Sequence, residues 1–283
     1  MDNAIDLHIH SIYSDGSDTP DAIVNLAKKL GLKAISLTDH DAVDGIPQMQ
    51  SLCDKANIAF VPGIELSTDY ENHEIHILGY YFDYTDKEFN DILSANVKAR
   101  DARTEKILSA LRDNGFDITL DALYKVNPAA VITRAHIATY LYSTNQIKCQ
   151  KEAFDKYIGD GKCCFFKRDK INAIDAIKLI HKVHGIAVIA HPPLYRLDNK
   201  ELNRVISDFK DNGLDGIETV YSTYKNDDTC VMRSFAEKYN LIMTGGSDYH
   251  GLNKPFIHLG CGRGNMHVPY SFYEALRDLK FNK

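Results

Sequence analysis

The sequence lacks the features that mark membrane-spanning proteins, redox proteins and proteins that coat long nucleic acid. No segment approaches the roughly 18 consecutive apolar residues of a membrane span, and Asp2, Asp6 and His8 interrupt the region where a secretion signal would be apolar. The six cysteines show no C-x-x-C spacing, and the net charge of −6 leaves no basic excess for long nucleic acid. We therefore expect a cytoplasmic protein with reduced, mostly buried thiols, with neither a membrane nor long nucleic acid as a partner.

The bulk composition is that of a globular protein with a substantial core. The chain has 283 residues, of which 44% are hydrophobic and 25% charged. This length suits one large domain, or one barrel that carries an insertion. Small anionic substrates are compatible with the acidic net charge, because bound metal ions would make a site locally positive.

Short apolar strands alternate with amphipathic helices at both ends of the chain. The first helix has Thr19 at its cap, Pro20 at its first position and Gly31 at its end. Alternating units of this kind predict a parallel sheet with right-handed crossovers, and their number predicts an α/β barrel. The predicted strands cover residues 4–10, 33–38, 58–66, 74–82, 185–190, 216–220 and 241–245. The predicted helices cover residues 20–30, 46–56, 173–184, 201–212, 227–239 and 270–279.

The middle of the chain has a different pattern. It contains no convincing strand, but helical patterns cover residues 86–114, 120–124, 134–143 and 151–158. We therefore predict a barrel domain made of residues 1–85 and 162–283. A helical insertion of residues 86–161 would interrupt this barrel and contribute to the substrate site.

Histidines and carboxylates follow the apolar runs of several predicted strands. The C-terminal ends of barrel strands usually carry the active site, so these side chains are expected to meet. An imidazole is a good ligand for Zn, Mn or Fe, and a carboxylate can bridge two such ions. The pattern predicts one metal cluster that the fold assembles from nine such side chains, six histidines and three carboxylates.

Each motif also has a structural interpretation. His8 and His10 point to the same face of a strand and could be a buried structural pair. Asp15-Gly16 could be a simple turn, and Asp41 could cap the next helix. Six motifs in one chain nevertheless favour a metal site over a coincidental set of polar core residues.

The motifs together resemble a known family. In chain order they are D-L-H-x-H-S-x-x-S-D-G, T-D-H-D, P-G-x-E, E-I-H-I-L-G-Y, A-H-P and G-S-D-x-H-G. This series resembles the PHP (polymerase and histidinol phosphatase) family of metal-dependent phosphoesterases, and the likeness extends over essentially the whole chain. The resemblance implies a distorted TIM-like (β/α)7 barrel.

Two further features resemble one branch of that family. Asp15-Gly16, and Arg134-x-His136 in the helical insertion, are similar to the branch that hydrolyses nucleoside 3′,5′-bisphosphates and trims short RNA from its 5′ end. The resemblance places Arg134 and His136 near the substrate phosphate. The branch commonly has an Arg two residues after the A-H-P proline, whereas here Arg196 is displaced by two positions, which affects substrate identity more than reaction type.

The resemblance also implies the cofactors and the reaction. It implies two or three divalent ions, most often Mn, Fe or Zn, with Glu65 bridging two of them. The ligands would be His8, His10, Asp15, His40, Glu65, His76, His191, Asp248 and His250. A metal-bridging hydroxide would be the nucleophile, and no separate catalytic side chain is predicted. The expected partner is a small phosphorylated nucleotide or a short RNA, for example adenosine 3′,5′-bisphosphate, which would give AMP and phosphate.

Three other functions stay open at this point. One is a phosphomonoesterase for another small metabolite, such as histidinol phosphate, against which Asp15-Gly16 and the Arg134 motif argue. Another is a non-catalytic metal-bound module, which the complete ligand set disfavours. An amidohydrolase would use a similar barrel, but the chain has neither that family's motif order nor a Lys at a strand end suited to bridging metals.

Overall fold

Seven strands form one sheet whose spatial order is the chain order. The computed structural model describes residues 4–126, 132–167, 170–264 and 266–281. Backbone hydrogen bonds from Asp248 N to His8 O (2.8 Å) and from His10 N to Tyr249 O (2.9 Å) bring the end of the last strand against the first. The sheet therefore nearly closes into a barrel, as predicted. The strands are β1 Ile5–Ile9, β2 Ala34–Leu37, β3 Ala59–Tyr70, β4 His73–Tyr80, β5 Ile186–Ile189, β6 Gly216–Tyr221 and β7 Ile242–Gly246.

The expectation of an all-parallel sheet is wrong at β4. This strand runs antiparallel to both β3 and β5, whereas the other neighbouring strands are parallel. Only Glu71 and Asn72 separate β3 from β4, and both have positive φ angles of 46° and 70°. A two-residue turn makes a hairpin, because a parallel connection would need a crossover of a dozen residues or more.

Helices surround the sheet and begin and end close to the predicted positions. The Thr19 side chain accepts a hydrogen bond from Ala22 N at the start of α1, and Gly31 ends that helix with a φ of 74°. The helices are α1 Pro20–Leu30, α2 Ile46–Ala56, α3 Lys87–Asp113, α4 Leu120–Val126, α5 Arg134–Ser143, α6 Gln150–Ala153, α7 Ala173–Lys182, α8 Asn199–Asp211, α9 Asn226–Tyr239 and α10 Tyr270–Phe281. A single π-helical turn, Phe154–Ile158, continues α6.

Two apolar clusters hold the barrel together. The larger one packs the surrounding helices on the strands, through residues such as Ile23 of α1 and Ile177 of α7. The smaller one joins Val61 of β3 to Phe272 and Leu276 of α10. Each fully buried side chain of this size stabilises the fold by about 1.5–3 kcal/mol relative to an exposed one. The barrel is thus a rigid frame for the side chains at its rim.

The helices between β4 and β5 have a core of their own. Leu108 of α3, Leu123 of α4, Ile137 of α5 and Ile158 belong to one buried cluster. The 27 residues of α3 begin beside the barrel, where Phe89 packs in the larger barrel cluster, and end in this separate core. The helical stretches predicted for the middle of the chain are therefore present.

The structure also tests two remaining expectations, that the thiols are mostly buried and that no segment spans a membrane. All six cysteines are free, but only Cys53 and Cys164 are buried, so the expectation of mostly buried thiols is wrong. The exposed Cys163 follows the π-helical turn, and the exposed Cys230 lies on α9. Among the described residues, no helix combines the length and apolar character needed to cross a membrane.

Candidate metal centre

The nine predicted side chains come from six different strands or the loops that follow them, and the fold brings all nine together. His8 lies within β1, and the tight turn after it carries Asp15, whose neighbour Gly16 donates its N–H to Ser11 O (2.9 Å). Glu65 lies within β3 and not at its end, because the strand continues to Tyr70. His76 lies in the middle of the antiparallel strand β4. The other members lie at or beyond strand ends: His10, His40, His191, Asp248 and His250.

Glu65 occupies the centre of the cluster and faces two groups of imidazoles. Its Oε1 lies 2.8 Å from His76 Nδ1 and 2.9 Å from His191 Nε2. Its Oε2 lies within 3.3 Å of a nitrogen of three further residues: His8, His10 and His40. A carboxylate whose two oxygens face separate sets of ligands has the geometry of a metal bridge.

Asp15 and Asp248 extend the cluster on either side. Asp15 Oδ1 lies 3.1 Å from His250 Nε2 and 4.0 Å from His40 Nε2. Asp248 Oδ1 lies 3.2 Å from His10 Nε2. Ligand atoms lie within 4.8 Å of one another in four overlapping groups that together contain the nine side chains: His10, Asp15, His40, His250; His8, Glu65, His191; His8, His10, Asp248; and His40, Glu65, His76.

Several buried nitrogen and oxygen atoms of the cluster approach an ion-pair partner but make no hydrogen bond within the described ranges. Among them are His8 Nε2, His10 Nε2, His40 Nδ1 and Asp15 Oδ1. A buried polar atom without a hydrogen bond costs on the order of 1–3 kcal/mol. A purely structural cluster that contains several such atoms would therefore be unfavourable. Imidazole nitrogens and carboxylate oxygens in this arrangement fit divalent metal ions. The donor set and the unpaired atoms therefore both fit a metal centre.

The carboxylates of the cluster are held in their ionised form. Burial would raise the pKa of Glu65, but the surrounding imidazoles hold it well below its usual range. Burial likewise opposes ionisation of Asp248, but Lys254 and His250 lower its pKa well below the ordinary value. Burial lowers the pKa of His40 to about 3, which keeps this imidazole neutral and able to bind a cation.

A shell of further residues, which none of the sequence motifs indicates, contacts the cluster from behind. Glu218 of β6 is fully buried, 3.1 Å from His8 Nδ1, and its other oxygen accepts the N–H of His191 at 2.8 Å. Asp248 Oδ2 accepts hydrogen bonds of 2.5 Å from Tyr221 and Lys254. Such outer partners fix which imidazole nitrogen is available to a metal. Glu218 was detectable, because it is a carboxylate inside an apolar strand, like Glu65.

A cavity of about 420 Å³ adjoins the cluster. Asp15, His40 and His76 line one part of it. A basic and aromatic wall also lines it, made of side chains from residues 100–170: Arg100, Arg103, Arg134, Lys167, Lys170, Phe154, Phe165 and Phe166. The carboxylates of Asp69, Glu74 and Asp160 are also among the lining residues. The cavity therefore combines a metal-binding part with a wall suited to anions and flat rings.

Arg134 lines this cavity and is partly buried. Its guanidinium donates to Asp160 Oδ1 at 2.7 Å, lies 3.8 Å from a Glu74 oxygen and stacks over the ring of Phe165. It is therefore held over the cavity and is not a freely solvated surface arginine. Glu74 also lies 2.7 Å from Lys170 Nζ and 3.3 Å from His76 Nε2, which connects the basic wall to the metal cluster.

His136 and Arg196 lie in different surroundings from Arg134. His136 is buried, and its Nδ1 accepts the N–H of Thr133 at the start of α5. Arg196 is exposed, follows a short turn with a φ of 58°, and is not among the residues that line the cavity. Its neighbour Tyr195 accepts the N–H of His76 at 2.9 Å, which places Arg196 beside the rim of the site.

The alternative interpretation of Asp41 as a helix cap does not hold. Helix α2 is capped at Gly45, four residues later. Asp41 instead forms an ion pair with the buried Arg100 and accepts the N–H of Ser67 at 3.1 Å. Arg100 was not among the predicted site residues, because no motif in α3 indicates it.

Comparison with known proteins identifies the family. The model of the PHP domain family matches residues 6–215, so the chain belongs to that family. A 5′-3′ exoribonuclease of Haemophilus influenzae is 33% identical over 250 residues, which cover 88% of this chain and 91% of that protein. A 3′,5′-nucleoside bisphosphate phosphatase of Chromobacterium violaceum is 30% identical over 247 residues, or 87% of each chain.

A solved structure from Chromobacterium violaceum has the same fold. It is described as an amidohydrolase with bound sulfate and no metal, and it matches with a TM-score of 0.84 and 29% identity over 91% of this chain and 90% of that one. The predicted PHP barrel is therefore confirmed. The two sequence relatives are named as enzymes that cleave phosphoric esters, and at that level the prediction of a phosphoric ester hydrolase is confirmed.

Proposed function

We propose that this protein removes phosphate from nucleoside 3′,5′-bisphosphates, with adenosine 3′,5′-bisphosphate giving AMP and phosphate, and that it also trims short 5′-phosphorylated RNA. The observation that carries the proposal is the shared cavity, which is lined both by members of the candidate metal cluster and by the basic and aromatic wall. The names of the two relatives support the same pair of substrates.

The nine clustered side chains are proposed to hold two or three divalent ions, of Mn, Fe or Zn. Each ion would have histidine and carboxylate ligands, with Glu65 shared between two ions. When bound, such ions supply a water of lowered pKa and offset the charge of the phosphoryl oxygens. The chain's own contribution is the fixed position of these ligands, which Glu218 and Tyr221 support from behind.

The basic and aromatic wall is proposed to bind the rest of the substrate. Arg134 presents a planar fork suited to a phosphate, and Lys170 adds a second positive charge beside it. Phe165 offers a ring on which a nucleobase of any type can stack. His136 supports the start of α5, and Arg196 at the rim suits a substrate that extends beyond the cavity, such as a short RNA.

We propose that residues 86–161 act as a helical insertion in a barrel of residues 1–85 and 162–283. The separate core of α3, α4 and α5 supports this division, and the wall continues just past it through Phe165 and Lys170. We also propose a cytoplasmic location, where six free cysteines stay reduced.

The test compares three substrates on Mn-reconstituted protein: adenosine 3′,5′-bisphosphate, histidinol phosphate and a 5′-phosphorylated RNA trimer. We expect fast phosphate release from the bisphosphate with AMP as product, and nucleotide release from the trimer. The His8→Ala variant should lose this activity, and His267→Ala, which changes an exposed histidine far from any motif, should keep it. Turnover of histidinol phosphate alone would instead favour a phosphomonoesterase for another metabolite, and inertness on all three would contradict the proposal.

A further inference from the structure

Two cysteines that follow one another in the chain lie directly before the aromatic part of the wall. Cys163 is exposed and Cys164 is fully buried, and their sulfur atoms lie 3.7 Å apart. Phe165 and Phe166, which come next, both line the cavity. The pair therefore combines a cysteine that is exposed to solvent, a second thiol in contact with it, and a direct covalent connection to the wall.

The protein holds both thiols in place. The Cys164 side chain belongs to the buried core of the insertion, where its sulfur accepts from Asn114 Nδ2 at 3.7 Å, and its backbone N–H donates to Tyr157 O at 2.9 Å. The Cys163 thiol points back to the π-helical turn and donates to Lys156 O at 3.8 Å. The close approach of the two sulfurs is therefore set by the packing of the insertion and not by the pair alone.

The residues after the pair contact the basic side chains of the cavity. The ring centroid of Phe165 lies 5.6 Å from the guanidinium carbon of Arg134, and Phe166 O accepts a hydrogen bond of 2.7 Å from Arg103 Nε. The Phe165 N–H donates to Lys162 O at 3.0 Å, so that a tight turn encloses the two cysteines. A rotation of the backbone inside this turn would therefore move Phe165 relative to Arg134.

A disulfide between the two sulfurs would require such a rotation. The sulfur atoms of a disulfide lie about 2.0 Å apart, so these two would have to approach by roughly 1.7 Å. Neighbouring Cα atoms are about 3.8 Å apart across a trans peptide, whereas disulfides usually join Cα atoms about 4.4–6.8 Å apart. The bond would therefore be strained, and strained disulfides are the ones that small thiols reduce most readily.

We propose that Cys163 and Cys164 are a reversible redox site, at which a peroxide forms a disulfide that displaces the aromatic part of the wall and weakens substrate binding. The disulfide itself depends only on the two thiols. Its effect on substrate binding rests on the proposed function.

The reaction begins at the exposed thiol. The Cys163 sulfur takes one oxygen atom from hydrogen peroxide and becomes a sulfenic acid, and the other peroxide oxygen leaves as water. The Cys164 sulfur then attacks the Cys163 sulfur and the S–O bond breaks. The hydroxyl group leaves as a second water with the proton of the Cys164 thiol. The two thiols lose two electrons in total, and one peroxide accepts them.

The surroundings of the two sulfurs favour this order of steps. Burial and the contact with Cys163 raise the pKa of the Cys164 thiol to about 11, so the thiolate that reacts with a peroxide is scarce at Cys164. In the second step, the contact between the sulfurs offsets this scarcity, because groups held together react at an effective concentration far above that of any free thiol.

The test treats the reduced, Mn-loaded protein with hydrogen peroxide, blocks the remaining thiols with an alkylating agent and maps the tryptic peptides by mass. The peptide of residues 163–167 contains both cysteines of the pair and no other. We expect it to lose about 2 Da, the mass of two hydrogen atoms, and to escape alkylation, and we expect dithiothreitol to restore both thiols. Cys163→Ser should form no such bond, whereas Cys230→Ser, the matched exposed control on α9, should form it like the wild type.

The same samples are assayed for bound Mn and for kcat and KM with adenosine 3′,5′-bisphosphate. Oxidation should raise KM about tenfold, which is the effect of losing one stacked nucleobase, and should leave bound Mn unchanged. Cys163→Ser should keep the KM of the reduced protein after the same treatment with peroxide.

A Cys163 that gains oxygen atoms while the Cys164 thiol stays free would overturn the proposal, and so would a disulfide that leaves KM unchanged. If the wild type does not hydrolyse the bisphosphate but the peptide of residues 163–167 still forms the bond reversibly, the proposed substrate is wrong and the redox site stands. The peptide masses thus separate the two failures.

Discussion

At the scale of single residues, the proposed metal ligands are held in place by partners behind them. Glu218 is fully buried between His8 Nδ1 and the backbone N–H of His191. Replacing it with glutamine keeps the shape but removes the charge that orients His8, so we predict a 10–100-fold weaker affinity for Mn in Glu218→Gln. The measurement is a Mn binding isotherm on the metal-free protein.

Glu237→Gln on the exposed face of α9 is the matched control for this substitution and should bind Mn like the wild type. A Glu218→Gln protein with unchanged Mn affinity would show that the hydrogen bond to His8 does not support the site.

Single residues also show how much of the candidate site can be predicted from the local sequence. Glu65 was found because it is a carboxylate within an apolar strand, and Glu218 has the same local signal in β6 but no accompanying motif. Arg100 has no local signal, since its burial depends on how α3 packs over Asp41, 59 positions earlier in the chain. The clustered His, Asp and Glu side chains were therefore predictable from the sequence, whereas the residues that contact them from behind, and Arg100 in α3, were largely not.

At the scale of elements, the approach of β7 to β1 fixes the position of His8. A Cβ added at Gly246 would lie 2.3 Å from His8 Cβ and 2.4 Å from His8 N, so the backbone itself would have to move. We predict that Gly246→Ala destabilises the protein by about 1–3 kcal/mol and reduces Mn binding, because His8 is displaced. Urea unfolding and metal analysis on the same samples check both effects.

An exposed substitution on another element, Arg233→Ala on α9, is the control and should change neither stability nor Mn content. Wild-type stability and Mn content in Gly246→Ala would mean that β1 can shift without cost to the site.

The elements themselves were predictable from periodicity, caps and turns, but the direction of β4 was not deduced. Apolar patterns give the positions of strands and not their direction, so an all-parallel barrel was expected. The length of the connection between β3 and β4 did indicate the direction of β4, because the two residues Glu71 and Asn72 cannot hold a crossover helix. His76 consequently reaches the cluster from the middle of a reversed strand and not from a strand end.

At the scale of the whole molecule, metal binding should stabilise the fold. The nine clustered side chains bring buried, unpaired polar atoms into the barrel rim, and an ion that satisfies them binds only the folded state. Mn at a hundredfold excess over its dissociation constant would stabilise the protein by about 2.7 kcal/mol. For a chain of this size we predict a rise in Tm of about 5–10 °C, measured by thermal unfolding in Mn and in EDTA.

The Glu65→Gln variant, which weakens the ligand shared by both groups of imidazoles, should show a smaller rise in Tm. An identical Tm in Mn and in EDTA for the wild type would contradict a metal centre that is coupled to folding.

The measurement that tests the central claim most directly is phosphate release from adenosine 3′,5′-bisphosphate while Mn is titrated into metal-free protein. The nine side chains form one centre with a shared Glu65, so we predict no release without metal and full release only after two or more equivalents of Mn are bound. Release by the metal-free protein, or saturation of Mn binding with no release at all, would contradict the account.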